Sequence, residues 1–205
     1  MKPSEIEAQS FAIIDKEAGP HQFSRRQWQI VRRMIHTSAD FDYLTSTIFH
    51  PQAVSAGIQA IRGGKPIFTD TNMLRIGIRA ADLERLGIEA RCLMADPETA
   101  RRASEAGTTR AKVAVDMAAP QLNGGIYAVG NAPTALLRLM ELMESGAAHP
   151  ALVVGLPVGF VNAAESKAAL SRLDTPFITN QGRKGGSNLA AGVINALILL
   201  ALEDD

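Results

Sequence analysis

Hydrophobic and polar positions change rhythm near residue 65. Before it, apolar residues recur at helical spacing. Ser4-x-x-Glu7 after Pro3 reads as a capping box, in which a hydroxyl and a carboxylate each satisfy an orphaned amide. It predicts a helix over about 5–17, closed by Gly19-Pro20. Ser24 predicts the start of a second helix, whose Trp28, Val31 and Ile35 make one apolar face. Residues 51–61 read as a third, stopped by Gly63-Gly64.

After Lys65 the pattern becomes short apolar runs alternating with helical segments. Runs at 66–69, 89–94, 125–129, 151–156 and 176–179 have strand length and turn signals nearby. Asp96-Pro97-Glu98 supplies a cap, a first-turn proline and an acid suited to the helix dipole, and Gly107 closes that helix. Further helices are expected over 133–146, 163–173 and 187–202. Strand–helix alternation implies parallel crossovers. The expected fold is therefore α/β: three-layered and doubly wound, a mainly parallel sheet of about five strands, helices on both faces and an N-terminal helical segment. No repeat or linker divides residues 1–205, so a single domain is expected.

Composition narrows the chemistry. With 46% apolar and 20% charged residues among 205, the chain is long enough to bury a core, and disorder or a fibrous class is excluded. Lys plus Arg equals Asp plus Glu at 21 each, so no global basic field exists to hold nucleic acid and any anion site must be local. One cysteine, Cys92, allows no internal disulfide and no cysteine-built metal cluster; it is read as core packing in a buried strand. The first residues carry acids where a secretory signal needs bases, and the apolar stretch 189–202 falls short of the roughly 20 residues of a membrane span. A cytoplasmic protein without a membrane partner is the expectation. The four histidines have no metal-ligand spacing, and the nucleotide signatures G-x-x-x-x-G-K-[ST] and G-x-G-x-x-G are absent, as is the hydrolase elbow G-x-S-x-G.

In an open parallel sheet ligands bind beyond the carboxyl ends of the strands. Three loops there stand out: 128–134, where Gly130 and Asn131 precede a helix start with free amides; 155–160; and 179–187, with three glycines beside Arg183 and Lys184. The plain readings are a strand-to-helix turn for the first, tight packing for the second and a solvated loop for the third. His36 is the candidate for proton chemistry. Arg25, Gln29, Arg32 and His36 fall on one stripe of the second helix, which could line a polyanion site; the helix end and Asp40 would favour the imidazolium. The alternative is a helix cap on a solvated face. Ser10 sits within the apolar stripe of Ile6 and Ile13, where its hydroxyl needs either the carbonyl four residues back or a ligand.

Taken in order, these strings resemble the precorrin-8X methylmutase family: Pro3-Ser4-Glu5-Ile6-Glu7, Ser10-Phe11-Ala12-Ile13-Ile14, Ile35-His36-Thr37-Ser38-Ala39-Asp40-Phe41, Asp70-Thr71-Asn72-Met73, Gly130-Asn131-Ala132-Pro133-Thr134, Pro157-Val158-Gly159-Phe160-Val161, Glu165-Ser166-Lys167 and Gly182-Arg183-Lys184-Gly185-Gly186-Ser187. The sequence departs from the family pattern at Asn162, where glycine is usual, and Gly192, where alanine is usual. The resemblance implies an isomerase of cobalamin biosynthesis that moves a methyl group from carbon 11 to carbon 12 of precorrin-8X or cobalt-precorrin-8. It implies no cofactor, no resident metal, a polycarboxylate tetrapyrrole as substrate, and a homodimer with the site near the subunit boundary. Carried onto this chain, it makes His36 the general acid and Ser10 and Arg110 substrate contacts. Thr37, Asp40, Asn131, Arg183 and Lys184 are the further expected contacts, with the amides after Gly130 as partners for the acidic arms. Two rival readings remain at this point: a non-catalytic tetrapyrrole carrier, and an enzyme binding a phosphorylated metabolite in the 182–187 loop.

Overall fold

The structure, a computed structural model, describes residues 2–203, without the side chains of Pro3 and Ser4. Its helices are α1 Pro3–Ala18, α2 Arg25–Ser38, α3 Tyr43–Ser46, α4 Ala53–Arg62, α5 Asn72–Gly77 and α6 Ala80–Leu86, then α7 Pro97–Glu105, α8 Arg110–Ala118, α9 Pro133–Glu144, α10 Ala163–Leu170 and α11 Ser187–Leu202. The strands are β1 Thr47–Phe49, β2 Ile67–Thr69, β3 Ala90–Arg91, β4 Ile126–Val129, β5 Leu152–Gly155 and β6 Phe177–Asn180. They form one sheet in the order β1-β6-β5-β4-β2-β3, parallel throughout except for the β1–β6 pair.

Side-chain alternation along the strands sorts the core into two layers. Ile126, Ala128, Leu152, Val154 and Ile178 join α2, α4 and α11 on one face, while Tyr127, Val129, Val153 and Phe177 join α8 and α9 on the other. The 16-residue α11 is apolar nearly all round because it is buried in the first layer, with Leu189, Ile194, Leu197 and Ile198 at most 2% exposed. Among the described residues no helix is long and apolar enough to cross a membrane.

The doubly wound expectation holds, with four corrections. A sixth strand, β1, pairs antiparallel on the edge; three residues between a short helix and the Pro51 turn carry no alternation long enough to announce a strand. The run at 89–94 yields only Ala90–Arg91, so Cys92 lies beyond the strand and is half-buried rather than in the core. The first helix starts at Pro3 with Lys2 as cap, and Glu5 rather than Glu7 accepts the Lys2 amide at 2.8 Å. The Ser4 half of the expected box lies outside the described residues. Helices α3, α5, α6 and α8 went unforeseen; the first three have seven residues or fewer and show too few turns for a period.

Candidate functional site

His36 is placed by α2. Ser24 caps that helix by accepting the Gln27 amide at 3.3 Å, while the Gln27 side chain accepts the Ser24 amide at 3.0 Å. Ile30, Val31, Met34 and Ile35 are at most 1% exposed and anchor the opposite face. Trp28 lies at the side of that face, its indole donating to Asp15 at 2.9 Å and its ring stacked on His21. His36 therefore emerges exposed in the last turn, with its ring edge-on to Phe11 at 5.2 Å between centroids. The helix ends at Ala39 in the left-handed region, φ 53°, whose amide donates to the Ile35 carbonyl at 2.7 Å. The following residues lead into β1, where Thr47 pairs with Asn180 at the carboxyl end of β6. That places His36 at the carboxyl edge of the parallel sheet.

Beside it a cleft of about 390 Å³ opens between α1, which supplies Ser10, Ile13, Ile14 and Glu17, and Ile35, His36, Ala39 and Phe41. Ser10 and His36, read separately from sequence, thus share one cavity. The Ser10 hydroxyl donates to the Ile6 carbonyl at 2.9 Å, so its need for a partner is met within the helix. The stripe around it is not buried: Ile6 and Ile13 are 52% and 50% exposed, leaving an apolar surface beside the acid candidate.

Of the stripe on α2, Arg32 is already engaged, as is its neighbour Arg33. Arg32 lies 4.3 Å over the Phe11 ring and bonds Asp15 at 2.9 Å; Arg33 lies 4.8 Å over the same ring and bonds Glu7 at 2.5 Å. The Arg33 guanidinium holds the Glu7 carboxyl below its usual range. These pairs clasp α1 to α2, and they form because the two helices run antiparallel. Thr37 bonds back to the Arg33 carbonyl at 2.8 Å and lines a neighbouring cavity of about 320 Å³ against α11. Gly192 faces it there: a methyl at 192 would come 3.1 Å from the Thr37 hydroxyl. The departure at Asn162 has a physical basis, since this residue sits at φ 60°, where asparagine is the best-tolerated replacement for glycine.

Two other expectations are overturned at this edge. The amides after Gly130 are not free for a ligand. The buried Asp70 carboxylate accepts from Gly130, Asn131 and Ala132 at 2.9, 2.8 and 2.7 Å. Burial pushes the Asp70 carboxyl up against the opposing pull of those three amides. Asp40 does not serve His36 and Lys184 is not an open anion cradle, because the Lys184 ammonium lies 2.5 Å from both Asp40 and Asp42. The Asp40 carboxyl is held low, by the Lys184 hydrogen bond first. The Gly186 amide is likewise taken, donating to the Leu156 carbonyl at 2.9 Å. Arg183 is exposed, 5.4 Å over Phe160, and Asn131 is exposed at the start of α9. Arg110 opens α8 and is exposed in the layer across the sheet from His36.

The structure thus joins Ser10 to His36 and Asp40 to Lys184, leaves Thr37 in the adjoining cavity, and keeps Arg110 apart. Asp70, Asp42 and Lys167 were not foreseen as parts of this edge. Asp70 directly follows a strand and Lys167 lies in a quoted motif, but their partners are distant in sequence.

A mainly parallel, doubly wound sheet with a cleft holding His36 at its carboxyl edge defines an α/β domain of the class that binds ligands at that edge. A family model described as precorrin-8X methylmutase matches residues 5–200. The cobalt-precorrin-8 methylmutase of Priestia megaterium is 47% identical over 201 residues, covering 98% of this chain and 89% of that protein. The precorrin-8X methylmutase of a Sinorhizobium species is 40% identical over 194 residues, covering 94% and 92%. The crystal structure of a precorrin-8x methyl mutase from Thermus thermophilus superposes with a TM-score of 0.91 at 48% identity, covering 97% of this chain and 96% of that one. The chain belongs to the precorrin-8X methylmutase family. It is a methyl-shifting isomerase of cobalamin biosynthesis.

Proposed function

We propose that the His36 cleft receives one edge of the tetrapyrrole and that His36 is the general acid for moving a methyl group from carbon 11 to carbon 12 of precorrin-8X or its cobalt form. Substrate and product have the same composition. The proton given by His36 is matched by one lost from the pigment, after which the imidazole regains its charge. Protonation draws electron density through the conjugated ring toward the rearranged chromophore. A positioned acid supplies typically ~10² to 10⁴ in rate, and fixing the ring geometry adds to this. The observation that carries the reading is the common cavity of Ser10 and His36, walled by Ile13, Ile14, Ile35 and Phe41. An apolar wall suits the macrocycle face, and a hydroxyl and an imidazole suit its polar edge.

Arg183 and Asn131 at the same edge, and Arg110, are assigned to the carboxylate arms, arginine being able to grip a carboxylate through two parallel hydrogen bonds. A cleft of about 390 Å³ leaves much of such a pigment uncovered. We assign the cover to a second copy of the chain, contacting apolar residues exposed on this side such as Ile6 and Ile13 and, on the loop after β5, Phe160 and Val161 at 84% and 78%. A cytoplasmic, dimeric enzyme is the resulting proposal.

The test is His36→Ala incubated with precorrin-8X while the visible spectrum is followed. A spectrum that shifts on binding but does not advance to the product supports the acid. Turnover at the wild-type rate overturns it.

A further inference from the structure

Lys167 is 1% exposed, and burial alone lowers its ammonium, to about 8. Burying a cation without a countercharge is costly, so a lysine that only filled space would be better replaced by methionine. Its Nζ donates instead to the Lys184 carbonyl at 2.5 Å and the Asn180 side-chain oxygen at 3.2 Å. Asn180, also 1% exposed, donates its amide to the carbonyls of Gln181 and Lys184, both at 3.0 Å. Two buried side chains from α10 and β6 thus converge on the carbonyls of one surface loop.

The loop is closed on its other side by backbone. Gly186 donates to Leu156, and Gly159 donates to the Arg183 carbonyl at 3.1 Å. A methyl on Gly185 would fall 2.3 Å from the Leu156 carbonyl oxygen. From this braced segment Arg183 reaches outward, and Lys184 reaches Asp40 and Asp42 in the turn that follows His36. Lys167 therefore stands at the inner end of a continuous chain of contacts: α10, loop 181–186, and the turn that ends the helix of the acid.

The geometry points to Lys167 as a positioning residue, whose three-donor ammonium ties down loop 181–186 so that Arg183 is presented to a carboxylate arm of the pigment. This deepens the methylmutase reading and, for the carboxylate arm, rests on it. Arginine grips the arm in ground and transition states alike, so loss of the tie raises KM and spares kcat.

The test is a cycle of Lys167→Met, Arg183→Ala and the double variant, assayed for kcat and KM, with amide hydrogen exchange of the free enzyme. Lys167→Met is expected to raise KM roughly tenfold with kcat within about threefold, and the double variant to be no worse than the weaker-binding single one. Exchange in 182–186 is expected to quicken at least tenfold, with β4 and β5 unchanged. Independent, multiplying effects of the two substitutions, or unchanged exchange in the loop, would overturn the proposal. Lys167→Gln, which keeps a donor without the charge, replaces the methionine variant should that fail to fold. The exchange readout does not depend on substrate, so loss of the loop tie is distinguishable from failure of the His36 assignment, which shows only in turnover.

Discussion

The carboxyl edge of the sheet holds two helix ends with opposite fates. At the start of α9, a glycine, an asparagine and a helix N-terminus make an inviting anion site, and the protein fills it with its own Asp70. At the end of α2, an unremarkable helix terminus leaves His36 facing an open cleft. A site is thus marked less by the groups a loop contains than by whether the fold has already satisfied them. The same rule separates Lys184, engaged by two aspartates, from its exposed neighbour Arg183.

The largest expected effect falls on the open end. His36→Ala should lower turnover about 10² to 10⁴-fold, while the exposed position keeps the thermal midpoint close to wild type. Asp70→Ala should do the reverse. Three amides lose their acceptor, each orphaned amide costing about 1–3 kcal/mol, so urea unfolding should report a loss of about 3 kcal/mol or more. Turnover per folded molecule should stay within about tenfold. Full stability with collapsed turnover in the Asp70 variant would break the contrast and place that carboxylate on the substrate.

A pH experiment sharpens the same contrast, because buried groups titrate with folding and exposed ones do not. The Lys167 ammonium is lowered to about 8 in the folded protein from its ordinary 10.5. Between these values the unfolded chain binds the extra proton, so stability rises with pH across about 8 to 10.5, and below about 8 the cost of the buried charge is present in full. Tyr43, pushed up to about 12 by burial, acts oppositely above pH 10, where the unfolded chain ionises first. Unfolding free energies of wild type and Lys167→Met from urea titrations should diverge in favour of wild type by up to roughly 3 kcal/mol between pH 8 and 10.5. A constant difference over that window would mean the amine is not held away from water.

Legibility from sequence followed the range of the interactions. Ser24, Pro97 and Pro133 announced their helices because caps and first-turn prolines act within four residues. The crossover strands were readable because they are apolar runs between turns. Helical phase put His36 on the side of its helix away from Ile35 and Val31, and it is exposed there, but the shared cleft with Ser10 depends on how the first two helices pack and had no local signal. The partnership of Asp70 with residues 130–132, and of Lys184 with Asp40, spans 60 and 144 positions at its closest-numbered contacts and has no local signature. Reading those amides and that ammonium as free was the natural error, since sequence displays the donors and hides the acceptors.

The smallest effect concerns the residue that turns the chain away from the cleft. Ala39 holds φ 53° and ψ 32° as the cap of α2, a conformation disfavoured for any residue with a Cβ. Its amide still closes on the Ile35 carbonyl, so the geometry of the last turn is set by the backbone. Glycine there removes the clash but adds freedom to the unfolded chain, worth about 0.4–1 kcal/mol in the other direction. Ala39→Gly should therefore change the unfolding free energy in urea by no more than about 1 kcal/mol and change kcat less than threefold. A larger fall in kcat at unchanged stability would show that the left-handed alanine, and not only the carbonyl it caps, aims the imidazole into the cleft.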